Sequence, residues 1–313
     1  MKKALFNLIN LILNVFYGRN IKISTLSGSF FLKTTFGHPL KRYLIKFSKY
    51  DRLLPYLSKA ISKSVIDIGS NIGDTLVLIK SVSPAEVICV EPDSNFINYL
   101  NLNISLNKFR NIKVYPFPIS SSNKKVIIEK NILKSTSNTS ETKHNNFPMG
   151  IQTKSFSDLI NELSIDIKSI GIIKIDTDGY DWDCLNSIAD FYELNKADQY
   201  YPEFIFYEHQ TYLNNLGLKD PDREKREELY MNSIRRLISF GYSEFYIFDN
   251  FGTLILQTKN LDDLIQIVKQ VKISQTTGSS SIFFLDVLMG QPGKNHIVEN
   301  ALSLQDLEKM IIS

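Results

Sequence analysis

The stretch "SVIDIGSNIGDT", residues 64–75, joins a short apolar run to a polar segment bracketed by two glycines. The run at residues 65–68 has the length and composition of a buried strand, and it ends at Gly69. Gly69 allows a sharp turn after the strand, and Gly73 allows backbone or ligand to approach where a side chain would block it. We therefore interpret the stretch as a strand, a tight loop and the first turn of a helix.

Strands and helices alternate regularly after this stretch. The pattern predicts strands at residues 64–68, 86–90, 112–116, 170–175, 203–207, 243–248, 253–257 and 281–286. It predicts helices at about residues 51–60, 73–81, 94–106, 156–163, 180–188, 222–239 and 260–271, with Ser155 as an N-cap and a last short helix capped by Ser303. Apolar strands that alternate with helices are typical of a parallel sheet covered on both faces. The sequence thus predicts an α/β, Rossmann-like, doubly wound fold.

The composition is that of a globular chain. Of the 313 residues, 43% are hydrophobic and 22% are charged, so the chain can bury a substantial core. The net charge of +3, from 36 basic and 33 acidic residues, is too small to indicate a nucleic-acid partner. The two cysteines, Cys89 and Cys184, show no metal-ligand spacing, and we expect a cytoplasmic, reducing compartment.

The first twenty residues, "MKKALFNLINLILNVFYGRN", need a separate interpretation. Asn7, Asn10 and Asn14 recur at helical spacing on an otherwise apolar segment that is shorter than the ~20 residues that span a bilayer. We expect a helix over residues 4–17 that packs on its own domain or on a second subunit of a homodimer. An alternative is peripheral contact with the inner face of a membrane, helped by the two lysines that precede this helix.

Three regions follow from this pattern. Residues 1–50 are predicted to form an N-terminal extension made of that helix and a hairpin around Gly28. Residues 51–290 carry the alternating strands and helices, and residues 291–313 form a C-terminal tail with the last helix.

Ligands of open α/β sheets bind at the carboxyl ends of the strands. A dinucleotide fingerprint that starts at Gly69 would need glycine at the positions of Asn71 and Asp74. Asp74, in the first turn of the helix, also discourages a phosphate group there. Glu91 ends the second strand, where its carboxylate can accept hydrogen bonds from both hydroxyls of a ribose. Together, the glycine loop and Glu91 favour a ligand that contains adenosine but no pyrophosphate. The alternative is that the two features are structural only, a tight turn and a helix-capping acid.

Four motifs in this order carry a family resemblance: "VIDIGSNIGDT", "VEPDSNFINYLNLNI", "IIKIDTDGYDWDCL" and "FIFYEH". Over about residues 64–209 the chain closely resembles the FkbM-type S-adenosylmethionine-dependent methyltransferases. The resemblance implies the class I methyltransferase fold, S-adenosyl-L-methionine as cofactor, and O-methylation of a sugar, glycan or natural-product hydroxyl in biosynthesis. One departure is Asp178, which stands where the family more often has glutamate.

The resemblance also implies roles for individual residues. It places Gly69, Asn71 and Gly73 along the methionine portion of the cofactor, Asp67 at the base of that loop, Glu91 at the ribose and Ser120 near the adenine. Asp74 and Asp176 complete the predicted cofactor-binding set.

A hydroxyl acceptor requires a general base within hydrogen-bond reach. Position selects the acidic and imidazole groups that follow the fourth and fifth strands: Asp176, Asp178, Glu208 and His209. His209 is our first choice because an unperturbed histidine has a pKa of about 6.5. Asp176 is the second choice and His38 the third. We predict no metal, and the alternative is a magnesium ion that Asp176, Asp178 and Glu208 hold on a diol.

Three other functions stay open at this stage. A nucleic-acid methyltransferase is disfavoured by the near-neutral charge. A non-catalytic scaffold that binds S-adenosylmethionine would show cofactor binding without turnover. A nicotinamide oxidoreductase is the nearest alternative on fold alone.

Overall fold

The computed structural model describes residues 20–35, 38–131, 136–141, 150–195, 200–213, 216–279, 281–308 and 310–313. The predicted helix over residues 4–17, with its expected dimer or membrane contact, lies outside these ranges. Within them, every helix is too short or too polar to cross a bilayer.

Fourteen strands and nine helices are assigned within the described ranges. The strands are β1 (Asn20–Thr25), β2 (Gly28–Lys33), β3 (Ser64–Ile68), β4 (Val87–Val90), β5 (Ile112–Tyr115), β6 (Lys125–Asn131), β7 (Thr136–Glu141), β8 (Ile151–Gln152), β9 (Ile170–Ile175), β10 (Phe204–His209), β11 (Glu244–Asp249), β12 (Leu254–Thr258), β13 (Leu285–Gly290) and β14 (Ile311–Ile312). The helices are α1 (Leu40–Lys46), α2 (Leu53–Ile61), α3 (Asp74–Val82), α4 (Ser94–Leu106), α5 (Phe156–Glu162), α6 (Asp181–Leu194), α7 (Arg223–Ser239), α8 (Leu261–Thr277) and α9 (Asn295–Leu307).

The main sheet has eight strands in the order β12-β11-β13-β10-β9-β3-β4-β5. Strands β5, β4, β3, β9 and β10 are parallel, whereas β13 runs antiparallel to both of its neighbours. Every residue of β3, β4 and β9 is buried, as their nearly continuous apolar sequences require. From β3 the chain order runs outward through β4 and β5 on one side and through β9 and β10 on the other. The neighbouring carboxyl ends of β3, β4 and β9 at this switch point form the crevice where such sheets bind ligands.

Two apolar cores cover the two faces of the main sheet. One core contains buried side chains of α5, α6, α7 and α8, and the other those of α1, α2, α3, α4 and α9. Helix α5 begins at the predicted N-cap, because the Ser155 hydroxyl accepts from the Asp158 amide and the Asp158 carboxylate accepts from the Ser155 amide. The predicted doubly wound α/β fold is confirmed.

Two small sheets extend this core. The predicted hairpin around Gly28 is confirmed as β1 and β2, and β14 adds an antiparallel third strand to it. The other sheet, β7-β6-β8, interrupts the alternation after β5. The regional boundaries at residues 50 and 290 stay a prediction.

Two elements near the C-terminus differ from the sequence prediction. Strand β13 begins at Leu285 rather than at residue 281, because a continuous apolar run does not fix its own pairing register. The last helix, α9, begins at Asn295 and therefore contains Ser303 in its interior. The wrong cap prediction came from a serine that local sequence favours as a cap but that packing places inside the helix.

The loop between β3 and α3 has a backbone that only particular residues accept. Gly69, Asn71 and Gly73 all have positive φ angles, of 87°, 48° and 84°. A Cβ atom on Gly69 would lie 1.8 Å from the backbone oxygen of Asp176 at the end of β9. On Gly73 it would lie 2.6 Å from Cδ1 of Leu100 in α4. Packing against backbone therefore requires glycine at position 69, whereas at position 73 the positive φ favours glycine and the Leu100 side chain could move aside.

We expect Gly69→Ala to lower the free energy of unfolding by about 2–5 kcal/mol, because left-handed strain adds to a clash with backbone that cannot rotate away. Gly278→Ala is the matched control, since Gly278 has a φ of +70° and its Cβ position has nothing within 4 Å. The control carries only the conformational cost, about 1–2 kcal/mol. Urea denaturation of both variants measures the difference, and equal losses would contradict the packing argument.

Candidate active site

A cavity of about 860 Å³ opens at the carboxyl ends of the parallel strands. The loop after β3, the end of β4 and the loop after β9 form one side, and β10 and residues from β13 form another. Residues of α1 and of the segments on either side of it line a further part of the cavity. The volume lies in the upper part of the range for small-molecule sites, so the cavity can hold two ligands of moderate size.

Glu91 joins the two predicted halves of the ligand site. Its Oε2 atom accepts a hydrogen bond from the Asn71 amide at 2.9 Å, and its Oε1 atom accepts from the Asp93 amide at 2.8 Å. Glu91 is 4% exposed, and burial raises its pKa to about 7 although these two hydrogen bonds lower it. The carboxylate is thus fixed in orientation at the cavity wall, and each oxygen keeps a lone pair for a further donor.

A buried lysine in the cavity wall connects β3 and β9. Asp67 and Lys174 face each other across the two strands, and the Lys174 Nζ atom lies 3.1 Å from Asp67 Oδ1. The same Nζ atom lies 3.3 Å from Asp176 Oδ2. Burial by itself would lower the pKa of Lys174, but the attraction of Asp67 and Asp176 raises it well above its ordinary value. Lys174 is therefore a fixed positive charge.

Asp181 positions the loop that follows β9. Its Oδ2 atom accepts from the Thr177 amide at 3.0 Å and from the Thr177 hydroxyl at 2.7 Å, and its Oδ1 atom accepts from the Glu208 amide at 3.1 Å. Asp178, in the same loop, has a φ of 56°, which aspartate tolerates better than most residues. Asp181 thereby holds the Asp178 loop against β10.

Strand alternation separates Glu208 from His209. Glu208 lines the cavity, whereas the His209 ring does not and lies 4.4 Å from the ring of Tyr230 in α7. His209 is 4% exposed, and burial lowers its pKa to about 3. These observations correct the first choice of base, because the imidazole points to the apolar face of β10 that is opposite to the cavity.

His38, the third candidate base, does line the cavity. Its Nδ1 atom accepts a hydrogen bond from the Leu40 amide at 3.2 Å, and burial lowers its pKa to about 4. A neutral ring that accepts at Nδ1 carries its proton on Nε2. His38 can therefore accept a proton only by losing the hydrogen bond to Leu40.

The remaining predicted residues divide between the cavity wall and its support. Those that line the cavity are Gly69, Asn71, Asp74, Ser120 and Asp176. Asp67 and Gly73 do not line it: Asp67 pairs with the lining residue Lys174, and Gly73 precedes the first residue of α3. The Ser120 hydroxyl donates to Asp183 Oδ2 at 2.8 Å, and the Lys124 Nζ atom lies 3.0 Å from the same oxygen.

Sequence analysis missed several groups that the fold brings to the cavity. Six aromatic side chains are among the residues that line it: Tyr43, Phe47, Tyr50, Phe251, Phe283 and Phe284. Phe47 and Phe251, which are far apart in sequence, stack at 4.0 Å between ring centroids. Lys174 and Asp286 were identifiable as single charged residues within apolar strands, a pattern that indicates a partner or a ligand. The aromatic rings had no such signal, because their sequence separation is large and their spacing irregular.

Comparisons with known proteins identify a family. A family model described as the methyltransferase FkbM domain matches residues 67–243. No curated protein matches the chain. Solved structures similar to the chain include an O-methyltransferase from Bacillus cereus in complex with SAH, at 11% identity and a TM-score of 0.40, covering 77% of this chain and 80% of that one.

Two further solved structures illustrate the same level of similarity. The O-methyltransferase TomG from Streptomyces achromogenes, involved in tomaymycin synthesis and in complex with SAM, has 9% identity and a TM-score of 0.38, with coverage of 77% of this chain and 79% of that one. A putative RNA methyltransferase from Pyrococcus horikoshii has 12% identity and a TM-score of 0.34, with coverage of 76% and 79%. None of these similarities bears on the substrate of this chain.

We expect Lys174→Met to destabilise the protein by about 3–5 kcal/mol, because it leaves the Asp67 carboxylate buried without its partner. The double variant Asp67→Asn/Lys174→Met should recover part of this loss, since it removes both charges together. Thermal and urea denaturation of Lys174→Met, Asp67→Asn, the double variant and the wild-type protein complete a double-mutant cycle. Additive losses would contradict a direct interaction between Asp67 and Lys174.

Proposed function

Because the chain belongs to the family of methyltransferase FkbM domains, we propose that it is an O-methyltransferase that acts on a hydroxyl group of a sugar, glycan or natural-product intermediate. The family and the class I methyltransferase fold give the coarser assignment, a methyltransferase with S-adenosyl-L-methionine as cofactor. The oxygen acceptor and its chemical class are the proposal.

The cavity residues fit this cofactor. Glu91 offers a fixed carboxylate to the two ribose hydroxyls, and the loop of Gly69 and Asn71 lies directly beside it. Eight carboxylates but only four lysine or arginine side chains line the cavity: Asp51, Asp74, Glu91, Asp176, Asp178, Asp183, Glu208 and Asp286, against Arg42, Lys46, Lys124 and Lys174. This predominance of carboxyl over basic groups favours a cationic ligand over a pyrophosphate. Burial raises the pKa of Asp51 and Glu91 to about 7 and raises the pKa of Glu208 and Asp286 well above the ordinary value, so the negative charge is smaller than the count of carboxyl groups. When bound, S-adenosylmethionine supplies a methyl group on a positively charged sulfur.

Asp176 is the residue that we assign as general base. It ends β9 next to the cofactor loop, and its side chain is 48% exposed within the open cavity. Lys174 contacts its Oδ2 atom at 3.3 Å and holds the carboxylate in place. Asp176 can therefore accept the proton of an acceptor hydroxyl, and its position depends on a buried ion pair rather than on a flexible loop.

The observation that carries the proposal is that aromatic rings and several carboxyl groups line one and the same cavity. Sugars present apolar C–H faces, which stack on rings such as Phe251 and Tyr212, and hydroxyls, which donate to carboxylates such as Glu208. Both kinds of contact are available to one acceptor that faces Asp176. A neutral polyhydroxylated compound fits these groups better than a flat apolar one.

The acidic lining also disfavours the nucleic-acid alternative. A polynucleotide carries a negative charge on every phosphate and needs lysine or arginine contacts along its path. The ionised carboxylates that line the cavity would repel a phosphate that approached together with a nucleobase. A non-catalytic scaffold is distinguished by the experiment on Asp176 below.

We expect affinity for S-adenosylhomocysteine to fall about tenfold between pH 8 and pH 6. The pKa of Glu91 is raised to about 7, so the carboxylate is ionised at pH 8 and mostly protonated at pH 6. The ionised form accepts hydrogen bonds from both ribose hydroxyls, and affinity is therefore lost as the pH falls through 7. Isothermal titration calorimetry measures this affinity, and the use of the product S-adenosylhomocysteine avoids turnover.

Glu91→Gln is the control for this pH dependence. It should weaken binding by about 1–3 kcal/mol at pH 8, as Glu91→Ala should, and it should flatten the pH profile. A profile in Glu91→Gln as steep as in the wild-type protein would assign the pH dependence to another group. Unchanged affinity at pH 8 would remove Glu91 from the site.

We expect Asp176→Asn to lower kcat by about 10²–10⁴-fold, because asparagine cannot accept the hydroxyl proton. Affinity for S-adenosylhomocysteine should stay near the wild-type value, since Glu91 and the glycine loop are unchanged. Mass spectrometry of sugar, glycan and natural-product acceptors, beside RNA and DNA oligonucleotides, identifies the class that gains a methyl group.

His209→Phe is the matched control, because the His209 ring packs on Tyr230 outside the cavity. It should retain methyl transfer per folded molecule. Loss of activity in His209→Phe with retention in Asp176→Asn would reverse our assignment of the base. Methylation of oligonucleotides alone would replace the proposed acceptor class, and cofactor binding without any methylated acceptor would favour the scaffold.

A further inference from the structure

Three carboxylates meet on the acceptor side of the cavity, away from Glu91. We propose that Asp176, Asp178 and Glu208 bind a divalent cation of the magnesium, manganese or calcium class, and that this cation holds the acceptor. The binding of the cation stands on geometry alone. Its role in holding the acceptor rests on the proposed O-methyltransferase function.

The fold brings these three groups together from two neighbouring strands. Strands β9 and β10 are parallel, with Ile175 opposite Tyr207, so the residues that follow these two positions reach the same edge of the sheet. One carboxylate oxygen from each of Asp176, Asp178 and Glu208 lies within 4.8 Å of the other two. Oxygens around one calcium ion are separated by up to about 5 Å, and small side-chain rotations bring them to the shorter spacing of magnesium.

Glu208 gives a second, independent indication of a cation-binding site. It is 5% exposed and lines the cavity, yet its Oε2 atom has no hydrogen-bond partner among the residues that the structure describes. A buried carboxylate without a partner is costly unless it takes up a proton or a positive charge compensates it. A cation bound to this oxygen would supply that charge.

The neighbouring lysine does not fill this role. Lys174 forms ion pairs with Asp67 and Asp176, and within the described ranges no basic side chain forms one with Glu208. The positive charge of Lys174 is thus shared by Asp67 of β3 and by Asp176, which follows β9. Glu208 and Asp178 form the part of the cluster that faces the acceptor side.

The donor set determines the class of cation. Carboxylate oxygens are hard ligands that suit magnesium, manganese and calcium, whereas zinc usually has nitrogen or sulfur ligands. Three protein ligands leave coordination positions open for water and for acceptor oxygens. A hydroxyl bound there becomes more acidic, and a second oxygen of the Asp176 carboxylate remains to accept its proton. An acceptor with two adjacent hydroxyls could occupy two of these positions.

Binding of manganese to the full chain, without cofactor or acceptor, tests the proposal. We expect one Mn²⁺ ion per chain by electron paramagnetic resonance, displaced by excess Mg²⁺ or Ca²⁺. Glu208→Gln and Asp178→Asn should each weaken Mn²⁺ binding at least about tenfold. Asparagine tolerates the positive φ of Asp178, so this second variant should fold even if Glu208→Gln does not.

Glu91→Gln is the matched control, because it removes a cavity carboxylate on the opposite, ribose side. It should leave Mn²⁺ affinity unchanged, whereas Asp178→Asn should leave affinity for S-adenosylhomocysteine unchanged. A wild-type protein that binds no Mn²⁺ at about 1 mM, the weak end of protein sites, would overturn the proposal. Equal affinity in the wild-type protein and Asp178→Asn would also overturn it.

The same protein samples separate this proposal from the proposed function. If Mn²⁺ binds as expected but no hydroxyl acceptor is methylated, the cation site stands and the O-methyltransferase assignment fails. If hydroxyls are methylated equally well in the presence of a chelator, the O-methyltransferase assignment stands and the role of the cation in holding the acceptor fails.

Discussion

The buried contact between Lys174 and Asp67 is the interaction on which the rest of the site depends. The two residues face each other across β3 and β9, the strands whose carboxyl ends form the crevice. The same ammonium group holds Asp176, the residue that borders both the cofactor loop and the acceptor side. A lysine in the centre of a parallel sheet is costly unless it is paired. Its position is thus explained by the carboxylates that it stabilises.

The cavity divides into two regions of similar charge and different geometry. On the cofactor side, backbone amides at residues 71 and 93 fix the Glu91 carboxylate, as expected of a group that must present two acceptors in one orientation. On the acceptor side, Asp178 and Glu208 come from different elements, the loop after β9 and β10, and the Oε2 atom of Glu208 has no hydrogen-bond partner among the described residues. Rigid geometry suits the cofactor, which is the same in every reaction cycle. An open cluster of carboxylates suits an acceptor whose binding completes the charge balance or the coordination of the site.

The candidate base shows where sequence reasoning reaches its limit. Glu208 and His209 are adjacent at the end of the same strand, and pKa alone favoured the histidine. Strand alternation sends one side chain into the cavity and the other against Tyr230, and the sequence does not say which. The glycines were predicted correctly as special positions, but their reason is different. Gly69 avoids the backbone of Asp176 and Gly73 avoids Leu100, and both contacts are long-range.

The sequence by itself determined the alternation of strands and helices, the loop after β3, the acid at the end of β4 and the family. These features depend on local periodicity and on residues close together along the chain. The tertiary structure alone decided the face of β10 that meets the cavity, the register of β13, the partner of Lys174 and the aromatic side chains that line the cavity. Each of these joins residues that are distant in sequence, and their contacts follow from packing, which no local pattern encodes.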